Sequence, residues 1–113
     1  FPATAGVRAR LTLRAGNAVK LQLPGGKEAI FATWSSYASN GDGFAGNDAV
    51  RIEVGHPVEI IAVNDRGRAR IFLDGRPVFD LPAAWPTDGK GPLGLGVEKG
   101  TVEVAEWSTF TPR

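Results

Sequence analysis

The sequence predicts an all-β fold, an antiparallel two-sheet sandwich of the jelly-roll type with about eight or nine strands and no substantial helix. Three observations carry this. Apolar and polar residues alternate with period two in segment after segment, which is the spacing of a strand with one buried face. No stretch carries apolar residues at i, i+3, i+4 and i+7 over three turns. Glycine (15) and proline (8) are plentiful and fall between the alternating segments, at a spacing of roughly 8–12 residues that suits a sandwich or barrel.

The first segment places Val7, Ala9, Leu11 and Leu13 on one face and Arg8, Arg10, Thr12 and Arg14 on the other. The arginines read as a solvated face whose stems cover apolar surface. Ala15-Gly16-Asn17 turns the chain, and Val19, Leu21 and Leu23 alternate with Lys20 and Gln22, which predicts a hairpin of the first two strands. After Pro24-Gly25-Gly26-Lys27, a third strand from Glu28 to Trp34 puts Ile30, Ala32 and Trp34 on one face and Phe31 on the other. Ser35 to Asp48 breaks the pattern and reads as a long, Gly/Ser/Asn-rich loop, the kind of connection that tends to carry function. Val50, Ile52 and Val54 alternate with Arg51 and Glu53 as a further strand.

Pro57 to Leu81 is the clearest stretch, a meander of three strands. Val58 to Val63 is apolar apart from Glu59, as for a strand buried on both faces. Asn64-Asp65-Arg66-Gly67 supplies a reversal. Ala69, Ile71 and Leu73 then alternate with Arg68, Arg70 and Phe72. Asp74-Gly75 suits a two-residue type I′ turn, which would set Ile71 opposite Val78 and Arg70 opposite Phe79. Pro82 to Pro86 has room for one helical turn at most. Leu93, Leu95 and Val97 alternate with Gly94 and Gly96, a strand with an almost bare second face, where another backbone or a ligand can come close. The last strand, Thr101 to Thr111, slips phase near Ala105 and predicts a bulge.

Composition narrows the function. The 113 residues suit one domain, 1–113, with a core large enough to fold without a staple. Cysteine is absent, which removes disulfides, thiolate metal sites and cysteine nucleophiles. Net charge is +1 (Lys+Arg 13, Asp+Glu 12), without the basic excess that nucleic acid requires. No apolar run reaches the ~20 residues of a membrane helix. The chain begins at Phe1 and contains no Met, so it is expected to be processed or cut from a longer protein.

From Val50 onward the chain resembles the C-terminal half of a concanavalin A-like jelly roll, the lectin/glucanase superfamily. The residues that carry the likeness are VEIIAV, ARIFLDGRPV, GPLGLGV at Gly91 to Val97 and VEVAEWSTF at Val102 to Phe110. In particular it resembles the bacterial 3-keto-disaccharide hydrolase domain, with laminin-G-like and lectin-like domains behind it. The resemblance implies a lectin-like sandwich, carbohydrate or another protein domain as partner, and an extracellular or cell-envelope location. The E-x-D-x-x-E carboxylate cluster of the glucanase members is missing, so no catalytic residue is assigned and the reading leans away from an enzyme. A hydrolase would need acids such as Asp42, Asp48 and Glu53 to converge.

Two candidate sites remain. Flat aromatic rings stack on the C–H faces of sugars while amides and carboxylates bond the hydroxyls, which singles out Trp34, Tyr37, Asn40, Asp42 and Trp85. Calcium takes oxygen ligands from loop Asp and Asn residues, which points to Asn40, Asp42, Asn47 and Asp48. Trp107 is expected in the core. His56, the single histidine, has no other His or Cys with which to share a metal.

Overall fold

A computed structural model of the chain describes residues 3–40, 43–86, 88–97 and 99–111, without the side chains of 39–40 and 43–45. The elements are β1 (Gly6–Ala15), β2 (Ala18–Gln22), β3 (Glu28–Ala32), β4 (Ser36–Asn40), β5 (Gly43–Asn47), β6 (Val58–Asp65), β7 (Arg68–Leu73), β8 (Arg76–Leu81), β9 (Gly94–Val97) and β10 (Thr101–Phe110). They form two five-stranded antiparallel sheets. The first runs β10-β1-β6-β7-β8 and the second β5-β4-β3-β2-β9. The described residues include no helix, hence none long and apolar enough to cross a membrane.

The core lies between the sheets. Val7, Ala9, Leu11 and Leu13 of β1 face inward with Ile60 and Ala62 of β6 and Ala69, Ile71 and Leu73 of β7. Val19, Leu21, Leu23, Ala29, Phe31 and Ala38 meet them from the second sheet. Each buried leucine or phenylalanine contributes about 1.5–3 kcal/mol of transfer free energy. Phe31 also meets Phe79 across the sandwich, with ring centroids 6.2 Å apart and planes tilted by 56°.

The structure corrects several expectations. β1 and β2 form no hairpin: β1 pairs with β10 and β6, and β2 with β3 and β9. Gly16, at φ 100°, turns the chain from one sheet into the other, so the two apolar faces oppose each other instead of lying side by side. Period two identifies a strand and its buried face, but a buried face is satisfied as well by a facing sheet as by a neighbour.

Ser35 to Asp48 is not a loop but largely the β4–β5 hairpin, with Ser36 opposite Asn47 and Asn40 opposite Gly43. Its small residues hide the alternation, although Asn40-Gly41 and Asp42-Gly43 are hairpin dipeptides. The segment from Val50 to Val54 is extended but belongs to no ladder. It carries the chain from the second sheet to the first, held by Ile52 N–H to the Ala32 carbonyl (3.1 Å) and Gly55 N–H to the Leu13 carbonyl (2.9 Å). Val50 and Ile52 plug the core on the way, and Val54 is exposed.

β6 is buried on one face only. Ile60 and Ala62 point inward, whereas Val63 is exposed on the outer face. The two meander turns form as expected, with φ 55° and 89° at Arg66-Gly67 and 50° and 82° at Asp74-Gly75. Past the second turn, however, Ile71 lies opposite Phe79 and Arg70 opposite Asp80. A bulge beside Pro77 shifts the register by one and brings Phe79, not Val78, fully inward. The bulge at Ala105 is present: Arg10 faces Glu106 while Leu11 faces Val104. Trp107 is not a core residue. It is 37% exposed, because β10 is an edge strand backed by the four-residue β9.

The outer face of the first sheet is an ion-pair lattice. Glu59 bonds Arg10 (3.0 Å) and lies 3.7 Å from Arg8; Glu106 lies 3.4 Å from Arg10; Arg14 pairs with Glu103, Arg68 with Asp80 and Arg70 with Asp65. The hydrogen bond that Arg10 donates to Glu59, with Glu106 close by, raises the Arg10 guanidinium above its ordinary pKa. Exposed pairs of this kind stabilise little, but they cancel the arginine charge locally.

Truncating Phe31→Ala empties the centre of the core beside Phe79, and is expected to cost about 3–5 kcal/mol in urea unfolding. A loss below about 1 kcal/mol would contradict this packing.

Candidate carbohydrate-binding face

Strict alternation decides what the outer face of the second sheet presents. With Val19 and Leu21 of β2 turned inward, Ala18, Lys20 and Gln22 point out. The same rule turns out Glu28, Ile30 and Ala32 of β3, Tyr37 of β4, Gly46 of β5, and Gly94 and Gly96 of β9. The register aligns them: Gln22 with Glu28 and Gly94, Lys20 with Ile30 and Gly96, Tyr37 with Ile30 and Gly46. Ala18, Ile30 and Ala32 form a small second apolar cluster, and Tyr37 packs against it half-buried.

Two depressions lie on this face. One, of about 190 Å³, is lined by Lys20, Gln22, Glu28, Gly94, Leu95 and Gly96. The other, of about 310 Å³, is lined by Asn17, Ala18, Trp34 and Lys99. Trp34 follows β3 and is 53% exposed, so its indole forms a wall open to solvent. Thr33 N–H bonds the Asn17 carbonyl at 2.9 Å and fixes the corner that presents it. Lys99 projects from the β9–β10 turn with φ 49°, a conformation side-chain-bearing residues adopt rarely.

The glycines separate into two kinds. A Cβ on Gly100 would strike the Ala15 carbonyl oxygen, and one on Gly25 would come within 2.6 Å of the Ala84 oxygen, so these positions are glycine for the fold. A Cβ on Gly46, Gly94 or Gly96 would meet nothing within 4 Å, and none of the three has positive φ. All three lie on the outer face of the second sheet. There the absence of a side chain leaves bare backbone on the surface, which is where another molecule can approach closely.

The residues expected from sequence are only partly brought together. Trp34 and Tyr37 share this face. Trp85 does not: at 2% exposure it belongs to the main core, its peptide N–H bonded to the Gly67 carbonyl at 3.1 Å. Asp42 and the side chain of Asn40, which also count among the four proposed calcium ligands, lie outside the described residues. Asn40 pairs at the tip of the β4–β5 hairpin and Asn47 at its base, about 13 Å apart along the strand, whereas calcium holds its oxygens at about 2.3–2.6 Å. Asp48 accepts a 2.7 Å hydrogen bond from Ser35 Oγ, and among the described residues no three His, Asp or Glu side chains could hold a metal. Glu53 sits apart, 3.2 Å from His56 Nε2. Sequence reasoning missed Asn17, Lys20, Gln22, Glu28 and Lys99. The signal was the bare face of β9, whose neighbours only strand order reveals.

No protein-family model matches the chain, and no curated protein matches it by sequence. Solved structures do match in fold. The galectin LEC-6 of Caenorhabditis elegans aligns over 96% of this chain and 84% of its own, with TM-score 0.67 and 17% identity. The carbohydrate binding module CBM66 from Bacillus subtilis aligns over 96% and 76%, with TM-score 0.69 and 16% identity. Sheep galectin-11 aligns over 97% and 92%, with TM-score 0.63 and 12% identity. The chain thus shares the jelly-roll β-sandwich fold of these proteins.

Gly94→Val and Gly96→Val are expected to leave thermal stability unchanged or raise it by up to about 1 kcal/mol, since valine suits a strand better than glycine. Gly100→Ala is expected to lower it by about 1–3 kcal/mol. Equal losses in all three, measured by calorimetry, would contradict the distinction.

Proposed function

We propose that the chain is a non-catalytic carbohydrate-binding module whose ligand lies on the outer face of the second sheet. The observation that carries this reading is an exposed tryptophan lining one of two depressions, on a face where three glycines have open space for a Cβ. The chemistry is matched to sugars. The indole of Trp34 offers a flat apolar surface to ring C–H groups, and its large area of low conformational entropy suits an anchor. Asn17 and Gln22 provide amides that both donate and accept, Lys20 and Lys99 donate, and the Glu28 carboxylate accepts. Together these can bond hydroxyls at two places along the face. The module reading extends to a single 113-residue domain carried by a larger secreted or envelope protein.

A hydrolase of the 3-keto-disaccharide type would draw its support from the turn pattern of the C-terminal half. It requires a second carboxylate, and among the described residues lining the two depressions Glu28 is the one acid. A structural or protein-docking role would place the contact elsewhere, most simply on the ion-paired face of the first sheet.

The test is a glycan array on the folded chain, with calcium and with chelator. Binding is expected in both conditions, and Trp34→Ala is expected to weaken it at least about tenfold, or about 1.4 kcal/mol, with an unchanged melting temperature. Glycan binding that ignores Trp34→Ala would move the site off this face.

A further inference from the structure

The two depressions lie end to end along one strand. Asn17 and Ala18 open the first, and Lys20 and Gln22 line the second. Ala18, Lys20 and Gln22 are consecutive outward positions of β2, so both depressions border the same strand without an intervening one. Gly96 lies directly opposite Lys20, and Gly94 opposite Gln22, which keeps the β9 side of the floor at backbone level. From Ala18 to Gln22 the strand rises about 13 Å, a distance longer than one sugar ring.

We infer that this trough takes a chain of two or three sugar units, not a single ring, laid along β2 and β9 with one unit against Trp34 and another over Gly94 and Gly96. The inference rests on the carbohydrate reading and adds the size and direction of what is bound. Its physical basis is that each depression is open and shallow. A single ring in either stays largely hydrated and gives up translational and rotational freedom for few contacts. Units joined by a glycosidic bond pay that cost once, and the second unit then binds at a high effective concentration. The two ends also differ in chemistry. The Trp34 end offers an apolar wall with Asn17 and Lys99, and the far end offers Lys20, Gln22, Glu28 and bare backbone. A ring presenting its C–H face is therefore expected at the first and a ring rich in accessible hydroxyls at the second.

The experiment titrates cello-, xylo-, manno- and galacto-oligosaccharides of one to five units into the intact chain by calorimetry. In the series that binds, affinity is expected to rise at least about tenfold from one unit to three and then level off. Gly96→Val, at a position where a Cβ meets nothing within 4 Å, is expected to abolish that rise and return the trisaccharide to the affinity of the monosaccharide. Equal affinity at every length, or a rise that survives Gly96→Val, overturns the inference while leaving the carbohydrate reading intact. Binding in none of the series overturns both.

Discussion

The apposition of two apolar sheet faces about 10 Å apart is the constraint on which everything else in this protein depends. β1 and β2 are consecutive, yet each sends its apolar residues into the same core from opposite sides. Because side chains alternate, a slip of one residue would turn a strand's whole apolar set to solvent. The register is accordingly unbroken in the central strands β6, β2 and β3, and its irregularities fall where the edge strands β10 and β8 pair with their neighbours. There an extra residue disturbs one ladder instead of two.

Once the inner faces are committed to the core, the outer faces are free to differ, and they do. The first sheet presents arginines and acids locked into mutual pairs. Most of these charges face a partner, so a ligand there would have to compete with ion pairs. The second sheet presents alanines, glycines, two aromatic rings and a few polar groups, with two depressions between them. That asymmetry follows from side-chain chemistry on one fold shared with galectins and a carbohydrate binding module.

Much of the fold was legible in the chain. The alternation of Val7 to Leu13, the Asp74-Gly75 turn and the phase slip at Ala105 each have a local cause, so each can be read locally. Sheet assignment could not be read in the same way. Nothing in Ala15-Gly16-Asn17 says whether the chain folds back beside itself or crosses to a facing sheet, because that choice is set by which partners close the core. The β4–β5 hairpin was hidden because Ser, Ala and Gly carry too little hydrophobic contrast to show a period. The site was half legible for the same reason. Trp34 and Tyr37 stand out as residue types, but Lys20, Gln22 and Glu28 become a group only when β2, β3 and β9 lie side by side. Trp85 looks like Trp34 in sequence, and only packing separates the buried ring from the exposed one.

The most direct test of the central claim is amide and indole chemical-shift mapping of the labelled chain during titration with a binding oligosaccharide. The account predicts that the shifts concentrate at Ala18, Lys20, Gln22, Glu28, Gly94 and Gly96 and at the Trp34 indole N–H. Shifts confined to the arginine face of β1, β6 and β7, with the second sheet silent, would contradict it.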